Sequence, residues 1–244
     1  MKRFTLLSVV LSVFFLALCA PFARAETTLT ADVVRAVFSA QINEEGNPYD
    51  LDPASISFRE GSFTRPGARE ALVWFFDRNQ SHAAGWAELW LMRDDGGWKS
   101  VMVIEQSDRM DARLIDAGGK GISAVFLTAT HQATGGFVSS YWALVSLYGG
   151  TPSTLYSADG SDFAFWDMYK EFGQGQGIIL HQIGFRDVWG DSAMELIDTE
   201  LSGTFVKTGK GESGYEVRWT PAATTTYRLV VDKDGVIKRV EKID

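Results

Sequence analysis

The feature of this 244-residue chain that most restricts its fold is a weak internal repeat of roughly 50 residues. Two copies begin at 67–76 and 121–130, and a looser third copy begins at 191–201. Each copy runs as an apolar segment, a polar loop, a segment with glycine and aromatic residues, and another apolar segment. Since one small sheet cannot bury its faces, repeated units of this kind must stack on their neighbours.

The apolar segments have the composition of β-strands. Residues 71–76, 86–92 and 98–104 are rich in aromatic and branched side chains, and a turn at 94–97 separates the last two. Many short strands divided by Gly, Asp and Ser predict a mainly β fold with propeller-like repeats of antiparallel strands. A β-sandwich is the alternative. The piece 157–177, between the second and third copies, is predicted to be irregular.

One helix is predicted near the start of the mature chain. Apolar residues recur at helical spacing from Val33 to Ile42. Thr30 can cap the helix, and Asp32 suits the positive end of the helix dipole. The polar stretch 43–48 ends it.

The first 25 residues have the pattern of a secretory signal peptide. Lys2 and Arg3 precede an apolar run over 4–20, and the small residues around Arg24 form a cleavage site. A membrane anchor and lipidation at Cys19 are alternatives, but a run of about 17 residues is short for a bilayer span. The expected location is therefore periplasmic or extracellular.

Cleavage divides the chain into a signal peptide (1–25), an N-terminal helix and linker (26–50) and a β-rich repeat domain (51–244). The mature chain keeps 20 of the 23 basic residues and all 31 acidic ones. Such an acidic chain argues against nucleic-acid binding. No second apolar span follows the leader, so no membrane span is expected after cleavage. The single cysteine lies in the leader, which excludes disulfides and thiolate catalysis in the mature chain.

Signals for catalysis are sparse. The histidines lack the spacing of a zinc site, and no G-x-S-x-G elbow is present. His82 and His131 occupy similar places in the two clearer copies and are interpreted as loop residues that fix turns. Acids that could serve a glycoside hydrolase are scattered along the chain: Glu70, Glu88, Asp187, Glu195 and Glu200.

Residues 187–195 (DVWGDSAME) are the best candidate for a metal site. The loop resembles the cation loop of FG-GAP/VCBS-type β-propeller repeats, which reads D-x-D-x-D-G-x-x-D before an apolar strand. Trp189 stands at the third position, and Ser192 replaces the glycine at the sixth. Carboxylates occupy the first, fifth and ninth positions: Asp187, Asp191 and Glu195.

A second stretch, 116–124 (DAGGKGISA), has the same frame. Asp116 and Gly121 keep the first and sixth positions, whereas Lys120 and Ala124 replace ligands at the fifth and ninth. We expect Lys120 to pair with Asp116 and so to close this loop without a metal ion.

The resemblance implies a propeller-like fold and an extracytoplasmic binding or scaffold role. Ca²⁺ takes six to eight oxygen ligands, so three carboxylates with one ligand position lost to Trp189 predict at most weak Ca²⁺ binding. The metal candidates are thus Asp187, Asp191 and Glu195, and no other cofactor is expected.

The function expected from these observations is a secreted or periplasmic, non-catalytic binding or scaffold protein. Its partner would be a protein or an envelope polymer. The alternative is a hydrolase that acts on envelope or extracellular polymers. Two or more acids around an exposed tryptophan in a cleft would favour the hydrolase.

Overall fold

The structure is a computed structural model, and it describes residues 27–80, 86–132, 137–163, 177–207 and 215–243. The predicted signal peptide, His82 and residues 164–176 of the piece predicted to be irregular lie outside these ranges. Within them, no helix is long and apolar enough to cross a membrane.

The described residues form one helix and twelve strands. The helix α1 spans Ala31–Phe38. The strands are β1 (Ser57–Gly61), β2 (Glu70–Asp77), β3 (Trp86–Asp94), β4 (Trp98–Ser107), β5 (Arg109–Ile115), β6 (Ala124–Gln132), β7 (Phe137–Ser146), β8 (Ser153–Phe163), β9 (Gly177–Arg186), β10 (Glu195–Lys207), β11 (Tyr215–Val231) and β12 (Ile237–Lys242).

The predicted helix is confirmed, with a shorter extent. The hydroxyl oxygen of Thr30 accepts a hydrogen bond from the Val33 backbone N–H at 3.2 Å, as expected of an N-cap. The helix ends at Phe38, and Ile42 lies beyond it and is exposed. Val34 and Phe38 are fully buried, so the apolar stripe of the helix covers one face of the first sheet.

The strands form three antiparallel four-stranded units. Strands β1–β4 make one sheet, and β5–β12 make a second sheet in sequence order. Among the described residues, that second sheet is joined at its middle by one residue pair, Ser161 with Ile179, so we describe β5–β8 and β9–β12 as the second and third units. The predicted mainly β fold, with propeller-like repeats and one N-terminal helix, is confirmed.

The units stack face to face with a hydrophobic core in each gap. Residues of α1 pack on one face of the first unit, and the other face packs on the second unit. The second unit presents alternate residues of β6 to its two neighbours: Val125 and Leu127 face the first unit, and Phe126 faces the third. Each unit therefore buries apolar area that it could not bury alone.

Some sequence predictions about strand extent were wrong. Residues 157–163, predicted to be irregular, complete β8. The last two segments of the third copy were predicted as separate strands, but β11 runs unbroken over Tyr215–Val231. His131 lies in β6 rather than in a loop, where its ring stacks on Tyr141 with centroids 5.8 Å apart.

Candidate functional site

The carboxylate of Asp187 is saturated by the backbone of its own loop. One oxygen accepts the N–H groups of Gly190 (2.6 Å) and Asp191 (3.2 Å), and the other accepts the N–H of Ser192 (2.9 Å). The Ser192 bond is the main cause that lowers the pKa of Asp187 below its ordinary value. The ionised carboxylate of Asp187 therefore stabilises the turn by accepting these backbone hydrogen bonds.

The other two acids of this loop bind an arginine. Arg228 on β11 donates from Nε to Glu195 (3.2 Å) and from Nη2 to Asp191 (3.0 Å). Its guanidinium also lies 5.1 Å from the Trp189 ring centroid. Glu195 is fully buried and accepts a second bond from the Val188 N–H at 2.8 Å. A guanidinium thus provides positive charge where the loop acids meet.

The structure places the three predicted metal ligands in one loop but gives each a protein partner. In the part of the chain that the structure describes, no group of three or more His, Cys, Asp or Glu side chains is arranged to hold a metal ion. Weak Ca²⁺ binding at Asp187, Asp191 and Glu195 stays a prediction.

The same nine-residue frame occurs in all three units. The strand pairs that close the loops join Gly61 to Glu70, Ile115 to Ala124, and Arg186 to Glu195. Each loop therefore spans the same number of residues between the first and second strands of its unit. Sequence analysis found the frame at 116–124 and 187–195 but missed the one at 62–70.

The sixth position of every loop has a left-handed backbone. The φ angles are 71° at Gly67, 77° at Gly121 and 67° at Ser192. Ser192 is the one residue other than glycine with positive φ in the described ranges. Left-handed backbone is costly for residues with a Cβ. The third loop nevertheless keeps this geometry with serine at the sixth position.

Replacing Ser192 by glycine should stabilise the protein. A non-glycine residue in this conformation costs about 1–2 kcal/mol, and the extra freedom of glycine in the unfolded chain offsets about 0.4–1 kcal/mol. We expect Ser192→Gly to raise the free energy of unfolding in urea by about 0.5–1 kcal/mol.

The matched control is the reverse change in the first loop. A side chain at Gly67 would meet no atom within 4 Å, so Gly67→Ser should be destabilising through backbone strain alone. Equal stabilities for the wild type and both variants would contradict a shared left-handed position.

The first loop is also closed by an acid and an arginine. Glu70 on β2 is fully buried and accepts hydrogen bonds from the backbone N–H groups of Phe63 and Thr64, both at 2.9 Å. Arg93, its cross-strand partner on β3, donates to it at 2.7 Å and to the Thr64 hydroxyl at 3.1 Å. Glu70 and Arg93 thus repeat the positions of Glu195 and Arg228, which are also cross-strand partners.

The middle loop is closed differently from our expectation. Lys120 does not pair with Asp116; its ammonium group donates to the backbone carbonyl of Lys233, in the loop between β11 and β12. Asp116 instead accepts the N–H of Gly121 at 3.0 Å. Lys120 therefore links the second unit to the third, a contact that local spacing in the sequence does not reveal.

A cleft opens between the second and third units. Its volume is about 220 Å³. On the second unit, Asp111, Thr128 and Trp142 lie opposite one another on β5, β6 and β7. The full lining consists of Asp111, Arg113, Phe126, Thr128, Trp142 and Ile183. Trp142 is mostly buried, and the sequence pattern did not single out Asp111, Arg113 or Thr128.

A histidine held by an acid lies beside this cleft. His181 on β9 is 2.8 Å from Asp198 through Nδ1, and the Tyr156 hydroxyl donates to the other oxygen of Asp198 at 2.5 Å. Burial, followed by the bond to Asp198, raises the pKa of Tyr156 above its ordinary value. The His181 ring lies 5.4 Å from that of Trp142, which also lines the cleft.

Another polar cluster lies on the face of the first unit that packs against α1. Glu88 on β3 is fully buried. One carboxylate oxygen accepts from Gln80 (2.5 Å) and Gln106 (3.1 Å), and the other accepts from Tyr49 (3.1 Å) and Trp90 (2.5 Å). All four donors are neutral. Burial raises the pKa of Glu88, and the hydrogen bonds oppose this without cancelling it.

Ionisation of the buried Glu88 should lower the free energy of unfolding as the pH rises towards neutrality. Its raised pKa means that its stabilising contribution is complete below the unfolded-state pKa of about 4.3 and is lost as the pH passes through the folded-state pKa. In Glu88→Gln this contribution does not titrate. We expect urea unfolding between about pH 4 and pH 7 to show a steeper loss of stability in the wild type than in the variant. Parallel curves of stability against pH for the wild type and Glu88→Gln would contradict the raised pKa. The control is Glu60→Gln, at an exposed position.

Comparisons of the chain with protein-family models, with curated proteins and with solved structures found no match. The geometry of the cleft and the loops is therefore the basis for a functional assignment.

Proposed function

We propose that this chain is a secreted or periplasmic, non-catalytic binding protein whose ligand site is the cleft between the second and third units. The observation that carries the proposal is the set of free polar groups in the cleft. Asp111 and Thr128 face each other across β5 and β6. Neither side chain has a hydrogen bond or an ion pair with another residue of the described chain. Together they offer acceptors and a donor to a bound molecule.

The sheets hold this site in a fixed shape. Five of the six lining residues come from three hydrogen-bonded strands of the second unit, and Ile183 comes from β9 of the third. The Arg113 guanidinium donates to the Ile183 carbonyl at 3.3 Å and so joins the two walls. A site built on strands needs little ordering when a ligand binds, which favours affinity.

Two sequence features support the extracytoplasmic part of the proposal. Residues 1–25 have the signal-peptide pattern, and the loops resemble those of FG-GAP/VCBS-type repeats. The shared left-handed sixth position at Gly67, Gly121 and Ser192 is consistent with that resemblance. We propose a protein or an envelope polymer as the partner.

The test is a pull-down from envelope extract with the immobilised mature chain, in Ca²⁺ and in EDTA. We expect one partner to be retained in both buffers and to be lost with Asp111→Lys, which reverses the charge at the cleft. The control Asp95→Lys makes the same charge change in the exposed turn after β3 and should retain the partner. Equal retention by both variants would remove the cleft as the binding site.

A hydrolase acting on such a polymer is the second candidate, and the pair of His181 with Asp198 favours it. A carboxylate bonded to one ring nitrogen orients a histidine for general base catalysis through the other. Against this, the cleft brings one carboxylate, Asp111, to Trp142 rather than two. New polymer chain ends that form with the wild type, but not with His181→Gln, would establish the hydrolase and overturn the non-catalytic proposal.

A further inference from the structure

The polar groups of the cleft carry charges that balance. Asp111 contributes one carboxylate and Arg113 one guanidinium, two residues apart on β5, and the other lining side chains are uncharged. An anion would lie near the carboxylate of Asp111, and a cation would lie near the guanidinium of Arg113. The lining therefore suits a ligand without net charge better than an ion of either sign.

The Arg113 side chain contacts two aromatic rings. Its guanidinium lies 4.8 Å from the ring centroid of Phe126 on one strand and 4.8 Å from that of Phe185 on another. Among the described residues it donates one hydrogen bond, to the Ile183 carbonyl, and a guanidinium has five N–H donors. Arg113 can therefore donate to a ligand without leaving its aromatic contacts.

The remaining lining groups complete a surface for hydroxyl groups. A hydroxyl both donates and accepts, so it can donate to Asp111, accept from Arg113, or do either with Thr128. The rings of Phe126 and Trp142 also line the cleft, where these residues are only 5% and 7% exposed. A volume of about 220 Å³ is below the range of about 300–1,000 Å³ typical of sites for drug-sized ligands.

We propose that the cleft binds one neutral sugar residue. A sugar ring presents several hydroxyl groups around its edge, which match the polar groups of Asp111, Arg113 and Thr128 in the lining. This inference rests on the proposed binding function and names the ligand class of the same site.

The test is saturation-transfer NMR and calorimetry on the mature chain with defined probes. The neutral probes are glucose, galactose, mannose and N-acetylglucosamine. The charged probes are glucuronic acid and glucosamine, and the zwitterionic probe is glycine. We expect at least one neutral sugar to bind and the charged and zwitterionic probes to bind at least tenfold more weakly.

Two variants locate the site. Asp111→Ala and Thr128→Val should each weaken sugar binding at least tenfold, whereas Asp95→Ala should leave it unchanged. Binding that is equal in all three variants would overturn the proposal, as would glycine or a charged sugar binding as tightly as the neutral ones. If no neutral sugar binds while the pull-down retains a partner that Asp111→Lys loses, the sugar assignment is wrong and the binding function stands.

Discussion

Glu70→Ala should be among the most destabilising single substitutions in this chain, with a loss of about 3–5 kcal/mol in the free energy of unfolding. The side chain of Glu70 is fully buried, and that of its partner Arg93 is 25% exposed. Truncation removes the acceptor for Arg93 and for the backbone N–H groups of Phe63 and Thr64. Breaking a buried ion pair costs this much because the surviving charge and donors stay desolvated.

The measurement is urea unfolding at neutral pH, with Glu60→Ala as the control. Glu60 lies on the adjacent strand β1 and is exposed, so its truncation should change stability by less than about 0.5 kcal/mol. Burial alone would raise the pKa of Glu70, but the bonds from Thr64, Arg93 and Phe63 outweigh it and the pKa is lowered. The stabilisation by Glu70 should therefore be present above its unfolded-state pKa and lost as the pH falls through the folded-state value. Equal stabilities for the two variants would contradict this role.

The sequence predicted those strands in which most apolar residues are buried. Strands β2 and β3 were found because nearly all their apolar residues pack into cores on one side or the other. The first strand of each unit was missed. In β5, exposed Arg109, Asp111 and Arg113 alternate with half-buried residues, and such a strand has little apolar character to distinguish it from a loop.

Sequence spacing revealed the loop frame in only two of the three units because the residue at its first position differs between loops. Two loops begin with aspartate, whose carboxylate accepts a hydrogen bond from the N–H of the sixth residue. Asp116 accepts from Gly121, and Asp187 accepts from Ser192. The first loop begins with Ser62, which instead donates to the Ala68 carbonyl. A search for aspartate spacing therefore passes over it, although Gly67 and Glu70 keep the sixth and ninth positions.

The cleft was beyond sequence analysis for a different reason. Asp111 and Ile183 lie 72 positions apart, and they meet because the second and third units stack. Within β5, the charged pair Asp111 and Arg113 at alternate positions was the available signal. It indicated that one face of the strand is polar, but it did not indicate what that face would meet.

The second large effect on stability concerns Arg228, which closes the third loop as Arg93 closes the first. We expect Arg228→Met to lower the free energy of unfolding by about 2 kcal/mol in EDTA, less than a fully buried pair would lose because the Arg228 side chain is 37% exposed. Without the guanidinium, the buried Glu195 keeps one bond, from the Val188 N–H. Asp191 then also lacks its ion-pair partner.

Ca²⁺ should restore part of this loss. The variant loop retains three carboxylates, at Asp187, Asp191 and Glu195, and the cation no longer competes with an internal positive charge. A free Ca²⁺ concentration of about ten times the dissociation constant would return about 1.4 kcal/mol. We expect millimolar Ca²⁺ to raise the stability of Arg228→Met and to leave the wild type nearly unchanged.

The matched control is Arg93→Met, which makes the same change in the first unit. That loop offers Glu70 but has Ser62, Thr64 and Pro66 at its first, third and fifth positions, so Ca²⁺ should not rescue it. Rescue of both variants would mean that Ca²⁺ acts elsewhere on the protein, and rescue of neither would mean that the acids at 187–195 cannot rearrange around a metal ion. Rescue confined to Arg228→Met would show that one guanidinium does in this loop what a cation does in the repeats it resembles.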